Sequence, residues 1–105
     1  MNPKPGEIYL VDLGMVAKVR PAVVVSRADL DSPRALSIFV PLTTENRGSV
    51  YEVSLGKLRF LNKDSWANVQ GMMAVGHERI IRLLGTVSAA QLSQIKVAIR
   101  HALDL

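Results

Sequence analysis

The sequence predicts a mainly β fold: a small, strongly curved antiparallel barrel with one helix at its C-terminal end. About six short stretches rich in β-branched and aromatic residues are separated by turns at intervals of about eight to twelve residues, as in small barrels. Apolar residues at helical spacing follow them. Since 105 residues suffice for one compact domain and are too few for two ordinary ones, we expect residues 1–105 to form a single domain.

The composition narrows the class of protein. Hydrophobic residues make up 49% and charged residues 21% of the chain, which is typical of a folded protein rather than a disordered one. Lys and Arg outnumber Asp and Glu by 13 to 9. The resulting net charge of +4 favours polyanionic partners such as nucleic acid or an acidic protein.

Cysteine usage and hydropathy give the expected location. The chain contains no cysteine, which excludes disulfides, thiolate metal sites and a thiol nucleophile and is compatible with a reducing compartment. The first residues form no apolar signal-peptide core, and no segment approaches the roughly 18 apolar residues that a membrane span requires. We therefore expect a cytoplasmic protein without a membrane partner.

The first two strands are the clearest. Glu7–Leu13 is rich in β formers, and Gly14–Val19 connects it to a second strand at Arg20–Ser26. Three consecutive valines in that strand cannot alternate with polar residues, so we expect both of its faces to be covered, as in a central strand. Because Pro21 cannot donate to a ladder, pairing is expected to begin after it, which places Arg20 at the mouth of a buried strand.

Later strands are shorter. Leu36, Ile38 and Val40 define one apolar face of a third strand that runs into Pro41, and Tyr51–Leu55 alternates as a half-exposed strand does. The remaining assignments are a short edge piece at Leu58–Leu61, a strand at Trp66–Gln70 and a last short strand or turn at Ile80–Leu84. Turn-forming residues connect these strands at Arg27–Arg34, Glu45–Ser49 and Asn62–Asp64.

The C-terminal helix is predicted over residues 89–103. Ser88 and Gln91 have the spacing of a capping box, in which the hydroxyl and the amide each satisfy a backbone N–H at the helix start. One apolar face follows, formed by Leu92, Ile95, Ile99, Ala102 and Leu103. We expect this face to cover one side or end of the curved sheet.

The familiar catalytic motifs are missing. The chain has no Gly-rich phosphate loop, no HExxH and no GxSxG, and its two histidines are far apart, so we predict no metal site and no cofactor. His77 is a candidate general acid or base, although a polar turn residue is the favoured interpretation. His101 is expected to be partly exposed on the helix without a ligand role.

Arg20 and Thr43 form the most informative pair. Arg20 begins one predicted strand and Thr43 ends another, so the two side chains share a rim of the sheet if those strands are antiparallel neighbours. A guanidinium and a hydroxyl that converge there could bind a phosphodiester. The alternative is that Arg20 joins a surface ion pair while Thr43 and Thr44 satisfy turn amides.

Several segments, in this order and spacing, resemble the MazF/PemK (Kid/CcdB-like) toxins of bacterial type II toxin–antitoxin systems. They are Gly6–Ile8, Val11–Leu13, Arg20–Ser26, Val40–Thr43, Val69–Gln70 and Arg82–Gly85. The resemblance implies an SH3-like β-barrel homodimer that cleaves single-stranded RNA, usually mRNA, at short sequence motifs without a metal. It also implies a cognate antitoxin that covers the active site.

Carried over by position, the catalytic arginine of this family falls on Arg20 and its catalytic threonine on Thr43. In such enzymes the 2′-hydroxyl of the RNA attacks the adjacent phosphorus, which leaves a 2′,3′-cyclic phosphate and a free 5′-hydroxyl. Arg20 would stabilise the phosphorane and Thr43 would hold a non-bridging oxygen. The RNA-binding positions that we expect are Lys18, Thr44, Arg47 and Gln70.

The connection Gly14–Val19 departs from the family pattern. Many members have a longer loop there, with a Gly-Ser-Glu-like stretch that gates the RNA groove, and this chain has neither the length nor the acidic residue. Lys18 is expected to supply a phosphate contact in its place.

A different class of function stays open. The same barrel could be a non-catalytic CcdB-like toxin or binding module that engages a protein target such as gyrase, or nucleic acid without cutting it. A degenerate toxin kept as a regulator would differ from the nuclease only in activity. The presence of both Arg20 and Thr43 favours the nuclease. Apolar residues that could feed a dimer interface, or equally the core, are Met72, Met73, Ile80 and Ile81.

Overall fold

The computed structural model describes residues 2–14 and 19–105. Its strands are β1 (Glu7–Asp12), β2 (Val19–Val24), β3 (Leu36–Thr43), β4 (Glu52–Lys57), β5 (Asp64–Asn68), β6 (Met73–Gly76) and β7 (Ile80–Thr86). Single 3-10 turns at Val69–Gly71 and His77–Arg79 precede and follow β6, and one helix, α1 (Ala89–Leu103), closes the described chain. Within the described ranges, no helix is long and apolar enough to cross a membrane.

The strands form one antiparallel sheet in the order β4-β5-β3-β2-β1-β7. The strand β3 has two partners along one edge, because its first half pairs with β6 and its last two residues pair with β5. From β6 the chain turns directly into β7, which lies beside β1. The sheet therefore curls into a barrel-like shape, and the prediction of a mainly β fold with a C-terminal helix is confirmed.

Two core clusters occupy the two faces of the sheet. One cluster, called the inner core below, contains no residue of α1 and consists of Tyr9, Val11, Ala22, Val24, Phe39, Val75 and Ile80. The helix-side core lies between the sheet and α1 and contains Ile8, Val23, Val40, Leu42, Val53, Leu55, Ala67, Val69, Val87, Ile95 and Ala98. Successive residues of β2 thus enter different cores, which confirms that both faces of this strand are covered.

Helix α1 starts where the capping box predicts it. The Ser88 hydroxyl accepts a hydrogen bond from the Gln91 N–H at 3.1 Å, and the Gln91 side chain accepts one from the Ser88 N–H at 2.9 Å. Ile95 and Ala98 are the residues that the helix buries. The predicted apolar face is wrong at its last position, because Leu103 is 51% exposed at the helix end, beyond the sheet that the helix covers.

The apolar face predicted for β3 is present, but the structure covers only part of it. Leu36 and Ile38 are 47% and 41% exposed, whereas Ser37 and Phe39 are buried. The residues Leu36, Ile38 and Val40 do share one face, but only Val40 belongs to the helix-side core. The other two extend beyond that core and remain uncovered.

Pairing of β2 begins before Pro21, contrary to the sequence prediction. Arg20 and Val19 already pair with Val11 and Asp12 of β1, while the ladder to β3 begins only at Ala22. A proline fits a ladder position that requires no N–H donor, so the β1 side continues through it. The strand also ends at Val24, although the Ser26 hydroxyl still accepts from the Ile38 N–H at 2.9 Å.

Three other assignments differ from the structure. Leu58–Leu61 forms a turn, closed by the Leu61 N–H donating to the Leu58 carbonyl at 3.0 Å, rather than an edge piece. The strand predicted to reach Gln70 ends at Asn68, because the Asn68 side chain caps the following 3-10 turn. Strand β6 was missed, since its sequence Met-Ala-Val-Gly has no clear alternation.

The proposed dimer-interface residues divide between core and surface. Ile80 is 8% exposed in the inner core, and Met72 and Met73 are half-buried against the two cores. Ile81, at 49% exposed, is the one residue of this set on the surface.

Candidate active site

Arg20 and Thr43 lie at one rim of the sheet. The strands β2 and β3 are antiparallel neighbours, with Ala22 opposite Pro41 and Val23 opposite Val40. Continuing this register by two residues sets Arg20 opposite Thr43. Both residues line one cleft of about 270 Å³ and a second of about 260 Å³. The neighbouring strands that the sequence argument required are therefore present.

The Arg20 side chain is exposed and positioned by the strand on which it sits. Its backbone is paired with Val11 of β1, so the base of the side chain is fixed by a ladder while the guanidinium reaches the rim. No carboxylate within the described ranges lies within ion-pair distance of it. The surface ion pair considered as the alternative is not found among the described residues, and none of them accepts a hydrogen bond from the five N–H donors of the guanidinium.

Thr43 makes the turn contact that the alternative interpretation expected. Its hydroxyl oxygen accepts a hydrogen bond from the Glu45 N–H at 3.1 Å. A hydroxyl that accepts in this way still has its own proton to donate. The turn contact therefore orients the Thr43 hydroxyl and leaves it able to donate to an anionic oxygen in the cleft.

The other predicted contact residues surround this pair. Thr44 lines the larger cleft beside Arg20, whereas Arg47 and Gln70 line a polar pocket of about 420 Å³ that also includes Thr43. Thr43 thus lies where all of these cavities meet. Lys18 lies outside the described residues.

Arg47 is free to contact a ligand despite its ion pair. Its guanidinium lies 3.2 Å from the Glu45 carboxylate, and the two side chains are 79% and 74% exposed. Such exposed pairs contribute little, about 0–1 kcal/mol, so a phosphate could compete for the guanidinium.

Glu52 organises the loop between β3 and β4 that carries Arg47. Its carboxylate accepts hydrogen bonds from the N–H groups of Arg47 and Ser49 at 3.1 Å and from the Ser49 hydroxyl at 2.9 Å. Desolvation alone would raise the pKa of Glu52, but the hydrogen bonds from Ser49 and Arg47 and the Arg47 charge outweigh it and lower this pKa. The negative charge of Glu52 is therefore committed to the loop rather than to a ligand.

Sequence reasoning missed several residues of this site. The turn between β4 and β5 brings Leu61, Asn62 and Lys63 to the wall of the Arg20 cleft, and Asn68 contributes to the other two pockets. In the sequence, Asn62 and Lys63 are ordinary turn residues. Only the pairing of β5 with β3 brings their turn to this rim, and no local signal reveals that pairing.

The two histidines are not part of the site. His77 Nε2 shares a hydrogen bond of 2.8 Å with the buried Ser37 hydroxyl near the start of β3, whereas Thr43 ends that strand. His101 is exposed, with its ring 5.1 Å from the ring of Tyr51. Within residues 2–14 and 19–105, no group of three or more His, Cys, Asp or Glu side chains could hold a metal ion.

Known proteins of one toxin family match this sequence along nearly its whole length. The family model for the PemK-like, MazF-like toxins of type II toxin–antitoxin systems matches residues 4–103. The chain is 36% identical over 113 aligned residues to the endoribonuclease MazF9 of Mycobacterium tuberculosis, with 95% of each covered.

Solved structures give the same result for the fold. A mycobacterial endoribonuclease in complex with its cognate antitoxin superposes with a TM-score of 0.84 at 28% identity, covering 98% of this chain and 96% of that one. The Mycobacterium tuberculosis toxin MazF-mt6 superposes with a TM-score of 0.82 at 25% identity, with 94% and 97% covered.

Proposed function

Because the chain belongs to the PemK-like, MazF-like toxin family of type II toxin–antitoxin systems, we propose that it is a metal-independent, sequence-specific endoribonuclease that cleaves single-stranded RNA. Its substrate is mRNA, and its products carry 2′,3′-cyclic phosphate and 5′-hydroxyl ends. The observation that carries this proposal is that Arg20, which has no ion-pair partner among the described residues, and Thr43, which is oriented by its turn, line the same two clefts at one rim.

The reaction uses a nucleophile that RNA itself supplies. The 2′-oxygen bonds to the adjacent phosphorus and gives its proton to solvent water, the bond from phosphorus to the 5′-oxygen breaks, and that oxygen takes up a proton from water. Negative charge builds on the equatorial oxygens of the phosphorane. Arg20 faces this charge, and the Thr43 hydroxyl donates to a non-bridging oxygen.

The role of Arg20 is electrostatic rather than that of a proton donor. A guanidinium ordinarily loses its proton only above about pH 12, which makes it a poor acid near neutral pH. Its planar array of N–H donors suits the trigonal arrangement of equatorial oxygens instead. Thr44, Arg47, Gln70 and Lys18 contact the RNA on either side.

The toxin acts as a homodimer in the cytoplasm and is held inactive by a cognate antitoxin. One relative was solved with its cognate antitoxin, which supports a partner of the same kind for this chain. The exposed Ile81 is an apolar residue available to an interface with a second copy. The alternative of a non-catalytic toxin that binds gyrase is not favoured, because binding a protein target requires no arginine and threonine at one rim.

Removal of the Arg20 side chain tests the assignment. We expect Arg20→Ala to lower the rate of single-stranded RNA cleavage by about 100- to 1,000-fold, the typical loss for one donor to a developing oxyanion. The exposed residue should leave folding intact, which circular dichroism checks. Arg27→Ala, an exposed arginine that lines no pocket with Thr43, is the matched control and should cleave as the wild type does. Full activity of Arg20→Ala would overturn the assignment.

A further inference from the structure

Strand β5 places the chain's single tryptophan beside Thr43. Trp66 lies directly opposite Thr43 in the ladder between β3 and β5, and opposite Ser54 in the ladder between β5 and β4. Directly opposed residues of antiparallel strands carry their side chains on the same face. Trp66 therefore shares a face with the threonine to which we assign a catalytic role.

The face of the sheet that carries Trp66 lies outside both core clusters at this position. The neighbours Leu42 and Ala67 belong to the helix-side core, so Thr43 and Trp66 point away from it. Ser54, on the same face, is exposed. Trp66 itself is half-buried and packs into neither the inner core nor the helix-side core.

Trp66 contributes to neither of the two cores that stabilise the fold. Aromatic side chains usually stabilise a protein by burying about 150–250 Å² each in its core, whereas Trp66 belongs to neither core cluster. The two tyrosines and Phe39, in contrast, all pack into or against a core. The part of the Trp66 ring that remains accessible lies on a face that also carries Thr43 and the exposed Ser54, so it is placed for contact with a ligand bound there.

The register gives the geometry of that contact. Thr43, Trp66 and Ser54 form one row across β3, β5 and β4. With neighbouring strands about 4.8 Å apart, the Trp66 backbone lies about 5 Å from that of Thr43. Arg20 lines two clefts together with Thr43. A phosphate held between Arg20 and Thr43 would bring an adjoining base within reach of the indole.

We propose that Trp66 is a stacking platform for one nucleobase of the single-stranded RNA, next to the phosphate that Arg20 and Thr43 hold. This inference rests on the proposed function and adds a residue that positions the substrate. Stacking on an aromatic ring accepts every base, because each has a π-face. Trp66 thus contributes affinity, while the polar side chains Asn68 and Gln70 in the adjoining pocket are placed to discriminate between bases.

The single tryptophan provides a direct probe. The experiment titrates wild-type protein with a short, mixed-sequence single-stranded RNA whose 2′-hydroxyls are replaced by fluorine, so that no cleavage occurs. We expect saturable quenching of the tryptophan emission, with a midpoint equal to that measured by fluorescence anisotropy of the labelled RNA. Binding in anisotropy without any change in Trp66 emission would overturn the proposal.

Substitution separates stacking from catalysis. By anisotropy, Trp66→Leu should bind this RNA about 5- to 100-fold more weakly, while Trp66→Phe, which keeps a ring, should lie within about threefold of wild type. With cleavable RNA, Trp66→Leu should raise KM and leave the rate at saturation within a few-fold, because Arg20 and Thr43 remain. Tyr51→Phe, an aromatic change on the helix side, is the matched control. If Trp66→Leu does not fold, the proposal is tested by the quenching of the wild-type emission and by the RNA affinity of Trp66→Phe.

The outcomes distinguish this proposal from the nuclease assignment. Wild-type cleavage together with unchanged binding by Trp66→Leu would overturn the stacking role alone. If the wild-type protein shows quenching but cuts no RNA, and Trp66→Leu binds RNA more weakly, the stacking role is supported and the nuclease assignment is overturned. Absence of any RNA binding by folded, antitoxin-free protein would overturn both.

Discussion

Thr43 makes two contacts in the proposed mechanism, and they use different parts of one hydroxyl. The oxygen accepts from the Glu45 N–H, and the proton is left for a phosphate oxygen. Orientation by the turn thus prepares the donor before substrate arrives. Such preorganisation is the feature that makes a fixed donor effective at a developing oxyanion.

Two replacements of Thr43 should separate the contribution of its shape to RNA cleavage from that of its hydroxyl. We expect Thr43→Val to lower the single-turnover cleavage rate by about 100- to 1,000-fold, since the donor is lost, while Thr43→Ser should retain most of the rate. The control is Thr86→Val, because Thr86 is an exposed threonine of β7 that pairs with Glu7 at the start of β1. Equal rates for Thr43→Val and wild type in a single-turnover assay would exclude Thr43 from the chemistry.

The location of single residues could be predicted only where position along a strand revealed it. The shared rim of Arg20 and Thr43 was predicted because one lies near the start of a strand and the other ends one. Trp66 and Asn62 were not found, because their place beside Thr43 depends on the register of β5 against β3. That pairing joins residues far apart in sequence, and single-residue chemistry carries no signal of it.

The loop between β3 and β4 behaves as one element held by Glu52. Backbone N–H groups of Arg47 and Ser49 converge on its carboxylate, so the charge fixes the loop that carries Arg47 into the polar pocket. Because the Glu52 pKa is lowered in the folded protein, the carboxylate stabilises the fold above its ordinary pKa of 4.5. This contribution is lost as the pH falls through the folded value below 4.5.

Glu52→Gln should therefore reduce stability at neutral pH and change its acid dependence. The amide keeps the shape and loses the charge, so the difference in the free energy of unfolding between wild type and variant should be present at pH 7. It should shrink as the pH falls below 4.5, the ordinary pKa of the carboxyl. Urea unfolding across this pH range measures it. A difference that stays constant with pH would contradict the role of the carboxylate charge.

Among the elements, those marked by a local sequence signature were predicted well. Features that depend on packing against distant parts of the chain were not. The capping box at Ser88 and Gln91 marked the start of α1 correctly. The exposure of Leu36 and Ile38 on the apolar face of β3 was not predicted, because burial there depends on how far the helix-side core extends over the sheet. The strand β6 was missed since four residues without alternation resemble a turn.

For the whole molecule, the net charge is positive and part of that charge lies at the site. The net charge is +4, and Arg20, Arg47 and Lys63 line pockets that meet at Thr43. Cations that neutralise phosphates release counterions, so RNA affinity should fall as salt rises.

With two to three phosphate contacts, we expect RNA affinity to fall about 7- to 20-fold between 50 and 200 mM salt, from a slope of about −0.7 per contact for single strands. Anisotropy with the 2′-fluoro RNA measures it, and Lys63→Ala should reduce the slope by about 0.7. Lys96→Ala, an exposed helix residue away from the site, should leave the slope unchanged. A salt-independent affinity would contradict phosphate recognition by these cations.

The fold class of the whole molecule followed from short strands, frequent turns and one amphipathic helix. The two-sided cover of β2 also followed, since three valines in sequence leave no polar face. What could not be predicted is the split pairing of β3 with β5 and β6, which curls the sheet and builds the walls of the site. Long-range pairing of this kind is set by packing between distant segments.

End-group analysis after cleavage of a long single-stranded RNA in EDTA tests most directly whether the substrate's own 2′-hydroxyl is the nucleophile. Cuts at a short recurring motif, with 2′,3′-cyclic phosphate and 5′-hydroxyl ends, are the predicted result. Fragments with 5′-phosphate ends, a requirement for metal, or no cleavage by folded, antitoxin-free protein would contradict it.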